Sequence, residues 1–325
     1  MILSNLSSLE NRIKPPENLP EEYFWNVSAQ KYLLRQKRQK TLNFHYKSLK
    51  KRLRGIKYIL NLASGNIQSL INLLNPKYPL FLINIDISSS IITHNNLLLS
   101  QSGFTSQFVE QNHWWHKNQL YVKNIHGNIQ ALINDPHLLT ISPNSMLLCF
   151  DGFANLDLTN KTSLNNIFRF LQLFPFSFTT WLYPGPRFCF FKEKLHFYYT
   201  VVYKKHHIPL QYISCQYFCW EGKMKAVLDK SSNSFSLDII QQIEEKVDRL
   251  IEDEEISAVQ VTFFNDSPPL MKYHAFYGEL SFLSTLIKPC NLKIIPLPLL
   301  EVQVKNDSFT KTFPLAFGRK GDDPN

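Results

Sequence analysis

IKYILNLASGNIQSLINLLNPKYPLFLINIDISSSIITHNNLLLS, residues 56–100, decides the fold class. IKYILNLA (56–63) is short and almost continuously apolar, the pattern of a strand covered on both sheet faces. SGN makes a tight turn, and IQSLINLLN (67–75) has helical spacing until Pro76 and Pro79 end it. LFLINIDI (80–87) repeats the buried-strand pattern. SSIITHNNLLLS (89–100) opens on serines suited to capping and continues helically. Such alternation predicts parallel strands joined by crossover helices.

The same alternation continues downstream. QLYVKNI (119–125) reads as a third strand, followed by a turn and short helix in GNIQALIND. MLLCFDGF (146–153) reads as a fourth strand and TSLNNIFRFLQLF (162–174) as the helix after it. Beyond Phe176, FTTWLYP and FCFF look extended, and LHFYYTVVYKK (195–205) and LQYISCQYFCW (210–220) are spaced to pair as a hairpin. LDIIQQIEEKVDRLIEDEE (237–255) is an amphipathic helix by its Ile240, Ile243, Val247, Leu250 and Ile251 stripe. ISAVQVTFF (256–264) reads as a strand, residues 274–287 as a helix, 292–304 as extended and GRKGDDPN as a disordered tail. Upstream, residues 1–22 with Pro15, Pro16 and Pro20 read as a loose lead-in, and 29–54 as one or two amphipathic helices. The expected organisation is a helical cap at 1–55, an α/β core at 56–192, and C-terminal strands and helices at 193–320. These last are expected to complete the sheet and form a substrate-binding region.

Charge and cysteine usage narrow the classes. The net charge of +9 is local, because residues 29–54 hold ten Lys or Arg and no Asp or Glu, which leaves the rest near −1. A surface that binds nucleic acid uniformly would not be built this way. Three readings of the segment stay open: a solvated helix face, an attractor for an anionic substrate, or a grip on phosphate backbone. Five scattered cysteines suit reduced thiols better than a disulfide framework. Cys215 and Cys219 are the only close pair, and no zinc-knuckle spacing accompanies them, so no metal is expected. No stretch approaches the ~18 uncharged apolar residues of a spanning helix, and the first residues lack the order of a secretory signal. The expectation is a cytoplasmic protein without a membrane partner, monomeric or homodimeric.

The chemistry gathers at strand ends. The first strand ends in Ala63-Ser64-Gly65-Asn66, where a small turn lets a ligand approach the backbone, beside a helix N-terminus whose free N–H groups favour a carboxylate. The second ends in Asp86, placed either to accept from a ribose diol or to cap the next helix. The third is followed by His126-Gly127-Asn128-Ile129, and the fourth contains Asp151. LNLASGNIQSL, INIDIS, HGNIQAL and LLCFDGFANL, in this order, resemble the motifs of class I S-adenosylmethionine-dependent methyltransferases over residues 56–174. The resemblance implies a Rossmann-like doubly wound sheet with an N-terminal helical segment and C-terminal α+β additions. It implies S-adenosylmethionine as cofactor, held by Asn61, Ala63, Ser64, Gly65, Asp86, Ile87, Asn128, Ile129 and Asp151. Asn61 stands where the family commonly has an acid, and Asn66 to Gln68 replace a further glycine. A dinucleotide-binding dehydrogenase is disfavoured, because its G-x-G-x-x-G needs more glycine than ASGNIQS has.

Other candidates lie outside these motifs. His113-Trp114-Trp115-His116 admits a helix with its histidines on one face and tryptophans stacking on a substrate, or an aromatic edge over the sheet. Tyr183 and Arg187, in the rigid YPGPRF turn, are placed to flank a substrate cleft. No residue declares itself as a catalytic base. The expected function is methyl transfer to an oxygen (carboxylate or hydroxyl) or nitrogen of a small-molecule or peptide natural-product acceptor. The alternatives are a nucleic-acid methyltransferase using 29–54, and a methyltransferase-like interaction protein without turnover.

Overall fold

The computed structural model describes residues 6–33, 49, 52–109, 112–150, 152–156, 161–180 and 270, with strand segments 194–202, 209–220, 223–228, 258–264, 272–278, 292–295 and 314–319. The helix expected at 237–255, the FCFF segment and most of 34–51 lie outside the described residues.

Two sheets organise the chain. The larger contains β1 (Tyr58–Leu62), β2 (Leu80–Asp86), β3 (Thr105–Val109), β4 (Asn112–Lys117), β5 (Leu120–His126), β6 (Ser145–Cys149) and β7 (Phe176–Thr180). It is completed by β13 (Leu292–Ile295) and β14 (Pro314–Arg319), in the order β13-β14-β7-β6-β1-β2-β5-β4-β3. β7, β6, β1, β2 and β5 are parallel, whereas β14 runs antiparallel to both its neighbours. The chain winds outward from β1 through β2 to β5, then crosses back and winds the other way through β6 and β7. That reversal makes the β1/β6 boundary the topological switch point. This is the Rossmann-like doubly wound sheet that the motif order implied.

Each face of the sheet has its own core, which is why β1, β2 and β6 are apolar almost throughout. On one face Leu60, Leu62, Ile83, Ile85, Ile125 and Leu147 pack with helices α1 (Leu6–Ile13), α5 (Ile129–Asn134) and α6 (Lys161–Leu171). On the other, Ile59, Leu82, Val122, Met146 and Leu148 pack with α3 (Gln68–Leu73) and α4 (Ser89–Gln101). Helix α4 begins where Ser88 caps it, the side chain accepting from the Ile91 N–H at 3.2 Å.

Helix α2 (Pro20–Leu33) lies against α4. Of the lead-in expected at 1–22, Leu6–Ile13 and the residues from Pro20 onward are helical instead. Pro15 and Pro16 separate two helices, and Pro20 occupies the first position of the second, where its missing N–H is no loss. The stripe of Leu6, Leu9 and Ile13 spans only two turns, too short to stand out as a period, yet all three are buried. The segment around His113–His116 is a strand, not a helix. Asn118 and Gln119 both have positive φ (48° and 61°), the two-residue turn that joins twisted antiparallel strands.

The second sheet has five antiparallel strands in the order β10-β9-β8-β11-β12. They are β8 (Lys194–Val202), β9 (Pro209–Trp220), β10 (Lys223–Leu228), β11 (Ala258–Phe264) and β12 (Lys272–Gly278). β8 and β9 form the expected hairpin. The helix expected from residue 274 begins as β12 instead, because Tyr273, Phe276 and Tyr277 are strand formers recruited by β11. The C-terminal stretch read as a tail starts inside β14, which PLAFGR was too short and too glycine-marked to announce.

Candidate functional site

The turn after β1 is fastened from three sides. Ala63 and Gly65 both have positive φ, 47° and 54°. The Ser64 N–H donates to the Ile85 carbonyl at 3.2 Å, and the Gly65 N–H donates to Asp86 Oδ2 at 2.9 Å. Asn95, fully buried on α4, donates from Nδ2 to the Gly65 carbonyl at 2.8 Å and accepts from the Ile67 N–H at 3.4 Å. Asn66 Oδ1 accepts from the Gln68 N–H at 2.8 Å. The N–H groups of Ile67 and Gln68 are thus engaged internally, contrary to the expectation that this short helix start stands free for a carboxylate.

Asp86 joins two turns. One carboxylate oxygen takes the Gly65 N–H and the other takes the Ser88 N–H, each at 2.9 Å. Ser88, rather than Asp86, caps α4. Within this fastened turn, the buried Ser64 Oγ (residue 7% exposed) has no hydrogen-bond partner among the described residues. An unsatisfied buried hydroxyl costs ~1–3 kcal/mol. Ser145 on β6 and Ser177 on β7 are buried in the same state, and of these three serines only Ser64 stands at the carboxyl end of its strand.

Across the switch point the lips touch. A Cβ on Gly152 would stand 2.6 Å from Cys149 Sγ and 2.8 Å from the Ala63 Cβ, so only glycine fits beside the β1 turn. Asp151 lies outside the described residues, as do Tyr183 and Arg187.

The N-terminal helices close the ends of β2 and β5. Asn26 Oδ1 accepts from Ser88 Oγ at 2.8 Å and from the Ser90 N–H at 3.2 Å. Glu22 Oε1 pairs with His126 Nε2 at 2.9 Å, and the same nitrogen lies 3.0 Å from the Ile87 carbonyl. The Ile13 carbonyl accepts from the Asn128 N–H at 2.7 Å, and Ile13 sits where a Gly127 side chain would be. Asn128 caps α5 through Oδ1, which accepts from the Gln130 N–H at 2.9 Å, and Ile129 is buried in the core. Sequence reasoning missed Glu22, Asn26 and Asn95. Pro20-Glu21-Glu22 carried a readable signal, a proline followed by acids as at a helix start.

Asn61, Ala63, Ser64, Gly65, Asp86, Ile87, Asn128 and Ile129 therefore gather at the carboxyl ends of β1, β2 and β5. Trp114 and Trp115 do not join them. Trp114 is buried edge-on against Phe81, 5.6 Å between centroids, near the opposite end of β2. Trp115 donates from Nε1 to Asn96 Oδ1 at 3.1 Å. Of the basic segment, Arg52 lies over the Phe176 ring at 4.8 Å. Among the described residues no three metal-ligating side chains cluster, and no helix is long and apolar enough to cross a membrane.

No protein-family model matches the chain, and no curated protein does. Solved structures do. A sugar N-methyltransferase from Streptoalloteichus is 9% identical over 94% of this chain and 96% of its own, with a TM-score of 0.38. A methyltransferase from Streptomyces caelestis is 8% identical over 83% and 88%, at 0.39. An S-adenosylmethionine-dependent methyltransferase from Clostridium acetobutylicum is 11% identical over 82% and 85%, at 0.37. Likenesses this distant leave the fold to rest on strand order and the chemistry on the site itself.

Proposed function

We propose that the chain is an S-adenosylmethionine-dependent methyltransferase acting on an oxygen or nitrogen of a small-molecule or peptide natural-product acceptor. The observation that carries the reading is the buried Ser64 hydroxyl, unpartnered among the described residues, in the turn at the switch point of a doubly wound sheet. Bound there, S-adenosylmethionine supplies a sulfonium-activated methyl group.

The chain's own part is to bind, orient and exclude water. Ser64 Oγ donates to the ligand's carboxylate. Asp86, held by backbone N–H groups on both oxygens, accepts from a ribose hydroxyl, because each carboxylate oxygen accepts more than one bond. Asn128 uses its oxygen as a cap and keeps its amide nitrogen for an adenine edge. Helices α1 and α2 cover the ends of β2 and β5. β12 touches α2 and the turn at Phe153–Asn155, so the five-stranded sheet stands beside the crevice as the acceptor wall. Rate comes mainly from positioning. A carboxylate acceptor needs no general base there, whereas a hydroxyl or protonated amine does.

Calorimetric titration with S-adenosylmethionine and S-adenosylhomocysteine tests the reading. Micromolar binding is expected, weakened about tenfold by Asp86→Ala. That variant also orphans two backbone donors, so it should lose ~2–3 kcal/mol of stability. Ser64→Ala separates the two effects. Its hydroxyl has no partner among the described residues, so stability should hold while binding falls several-fold. Undiminished binding by Ser64→Ala would remove the observation on which the reading rests. A second reading, a methyltransferase-like protein without turnover, is favoured by the internal engagement of the turn's N–H groups. A folded sample that binds neither ligand would establish it.

A further inference from the structure

Asn61, Asn84 and Asn124 occupy the same register position on three adjacent strands. Their side chains form a one-way ladder. Asn61 Nδ2 donates to Asn84 Oδ1 at 2.9 Å, Asn84 Nδ2 to Asn124 Oδ1 at 2.8 Å, and Asn124 Nδ2 to Asn96 Oδ1 on α4 at 2.8 Å. Asn61 and Asn84 are almost wholly buried (1% and 0% exposed), in a layer that elsewhere holds Ile59, Leu82 and Val122. Amides in such a place are tolerated only when bonded, and a chain of them is stiff because each bond fixes the next.

The direction of the ladder is set at its far end. Trp115 Nε1 is a donor and nothing else, and it reaches the same Asn96 oxygen at 3.1 Å. Turning Asn96 over would bring an amide N–H against the indole N–H. Asn96 must therefore present its oxygen, Asn124 its nitrogen to Asn96, and so on back to Asn61. Since the nitrogen and oxygen of an amide diverge, an Asn61 nitrogen turned to β2 leaves its oxygen turned off that strand. No donor among the described residues reaches that oxygen, two residues before the Ala63-Ser64-Gly65 turn.

We propose that Asn84, Asn124, Asn96 and Trp115 are positioning residues that hold the Asn61 carbonyl oxygen as an acceptor for the ammonium of the bound cofactor's amino-acid part. The inference rests on the proposed function and extends it to residues on the far side of β5. It also gives a physical reason for an amide where an acid is common. A carboxylate at 61 has no donor for Asn84 Oδ1, and accommodating it would mean reversing every amide against the indole.

The test compares two probes, S-adenosylhomocysteine, which carries the ammonium, and 5′-methylthioadenosine, which lacks it. Trp115→Phe and Asn96→Leu should each weaken S-adenosylhomocysteine about tenfold, the effect of one hydrogen bond to a charged group, and leave methylthioadenosine unchanged. Asn96→Asp, which still only accepts from Trp115 and Asn124, should restore wild-type binding within a factor of three or so. If wild type binds both probes and the variants weaken both alike or neither, the ladder is a structural pin and the proposal is overturned. If folded wild type binds neither probe, the cofactor reading itself falls and takes the ladder's role with it. Should Asn96→Leu fail to fold, Trp115→Phe decides the matter alone.

Discussion

The two faces of the large sheet solve different problems with the same strands. Toward α1, α5 and α6 the alternate residues of β1, β2 and β5 run Tyr58–Phe81–Tyr121, then Leu60–Ile83–Lys123, then Leu62–Ile85–Ile125. The first row is a stack of aromatic rings 5.5 and 4.9 Å apart, and the one charge, Lys123, is paired with Glu10 of α1 at 2.6 Å. Toward α3 and α4 the rows run from Ile59–Leu82–Val122 to Asn61–Asn84–Asn124 and end at Asp86 and His126. Polarity on that face rises toward the strand ends. One face secures the fold, and the other gives up apolar burial to fix groups at the site.

The largest test of this contrast lies on the first face. Phe168, on α6, is 2% exposed and packs in the core with Phe170, Phe174 and Leu147. Phe168→Ala should cost ~3–5 kcal/mol, read as a lowered denaturation midpoint with an unchanged slope. Because α6 touches none of the fastening bonds around Gly65, the folded variant should keep wild-type affinity for S-adenosylhomocysteine. An affinity loss as large as that of Asp86→Ala would break the division between the faces.

A smaller effect is expected where the lips of the crevice meet. Gly152 has a φ of −63°, open to any residue, so the consequence of Gly152→Ala is one of space alone. The new methyl would press on Cys149 Sγ and the Ala63 Cβ, both in packed surroundings, for ~1–3 kcal/mol. Adding Ala63→Gly removes one of the two clashes and should recover part of the loss. A double-mutant cycle without coupling would show that the lips do not touch.

The legibility of the molecule follows the same division. The winding around β1, β2, β5 and β6 could be read because strands covered on both faces are apolar runs, and Pro76 and Pro79 mark where a helix must stop. Gly65 and Asp86 could be read because their residue types are restricted by backbone and charge. The ladder could not. Asn61, Asn84 and Asn124 are 23 and 40 residues apart in sequence, and only parallel register makes them neighbours. Trp115 looked like a substrate platform because nothing in HWWH shows that a hairpin turns its indole toward α4. The partners that close the site, Glu22 and Asn26, were hidden by prolines that punctuate helices as readily as they prevent them.

His94 offers the smallest and most selective test, on the outer side of the polar face. It lies on α4 and, with Asn26, Ala29 and Thr93, lines an open groove of about 630 Å³ between α2 and α4. Its Nε2 is buried without a hydrogen-bond partner among the described residues, and burial pushes its pKa below the usual 6.5. Between that lowered value and 6.5 the unfolded chain binds more proton than the folded one, so stability rises with pH across the window. The contribution is complete above about 6.5 and is lost as the solution is acidified below it. Glu21 and Glu22 on α2 and His126 at the end of β5 are the same in both proteins, so the difference between wild type and His94→Gln isolates the one ring. Melting temperature should fall less for His94→Gln than for wild type as pH is lowered from 7 to about 5.5. Equal slopes would mean that the imidazole finds a proton partner in the folded chain.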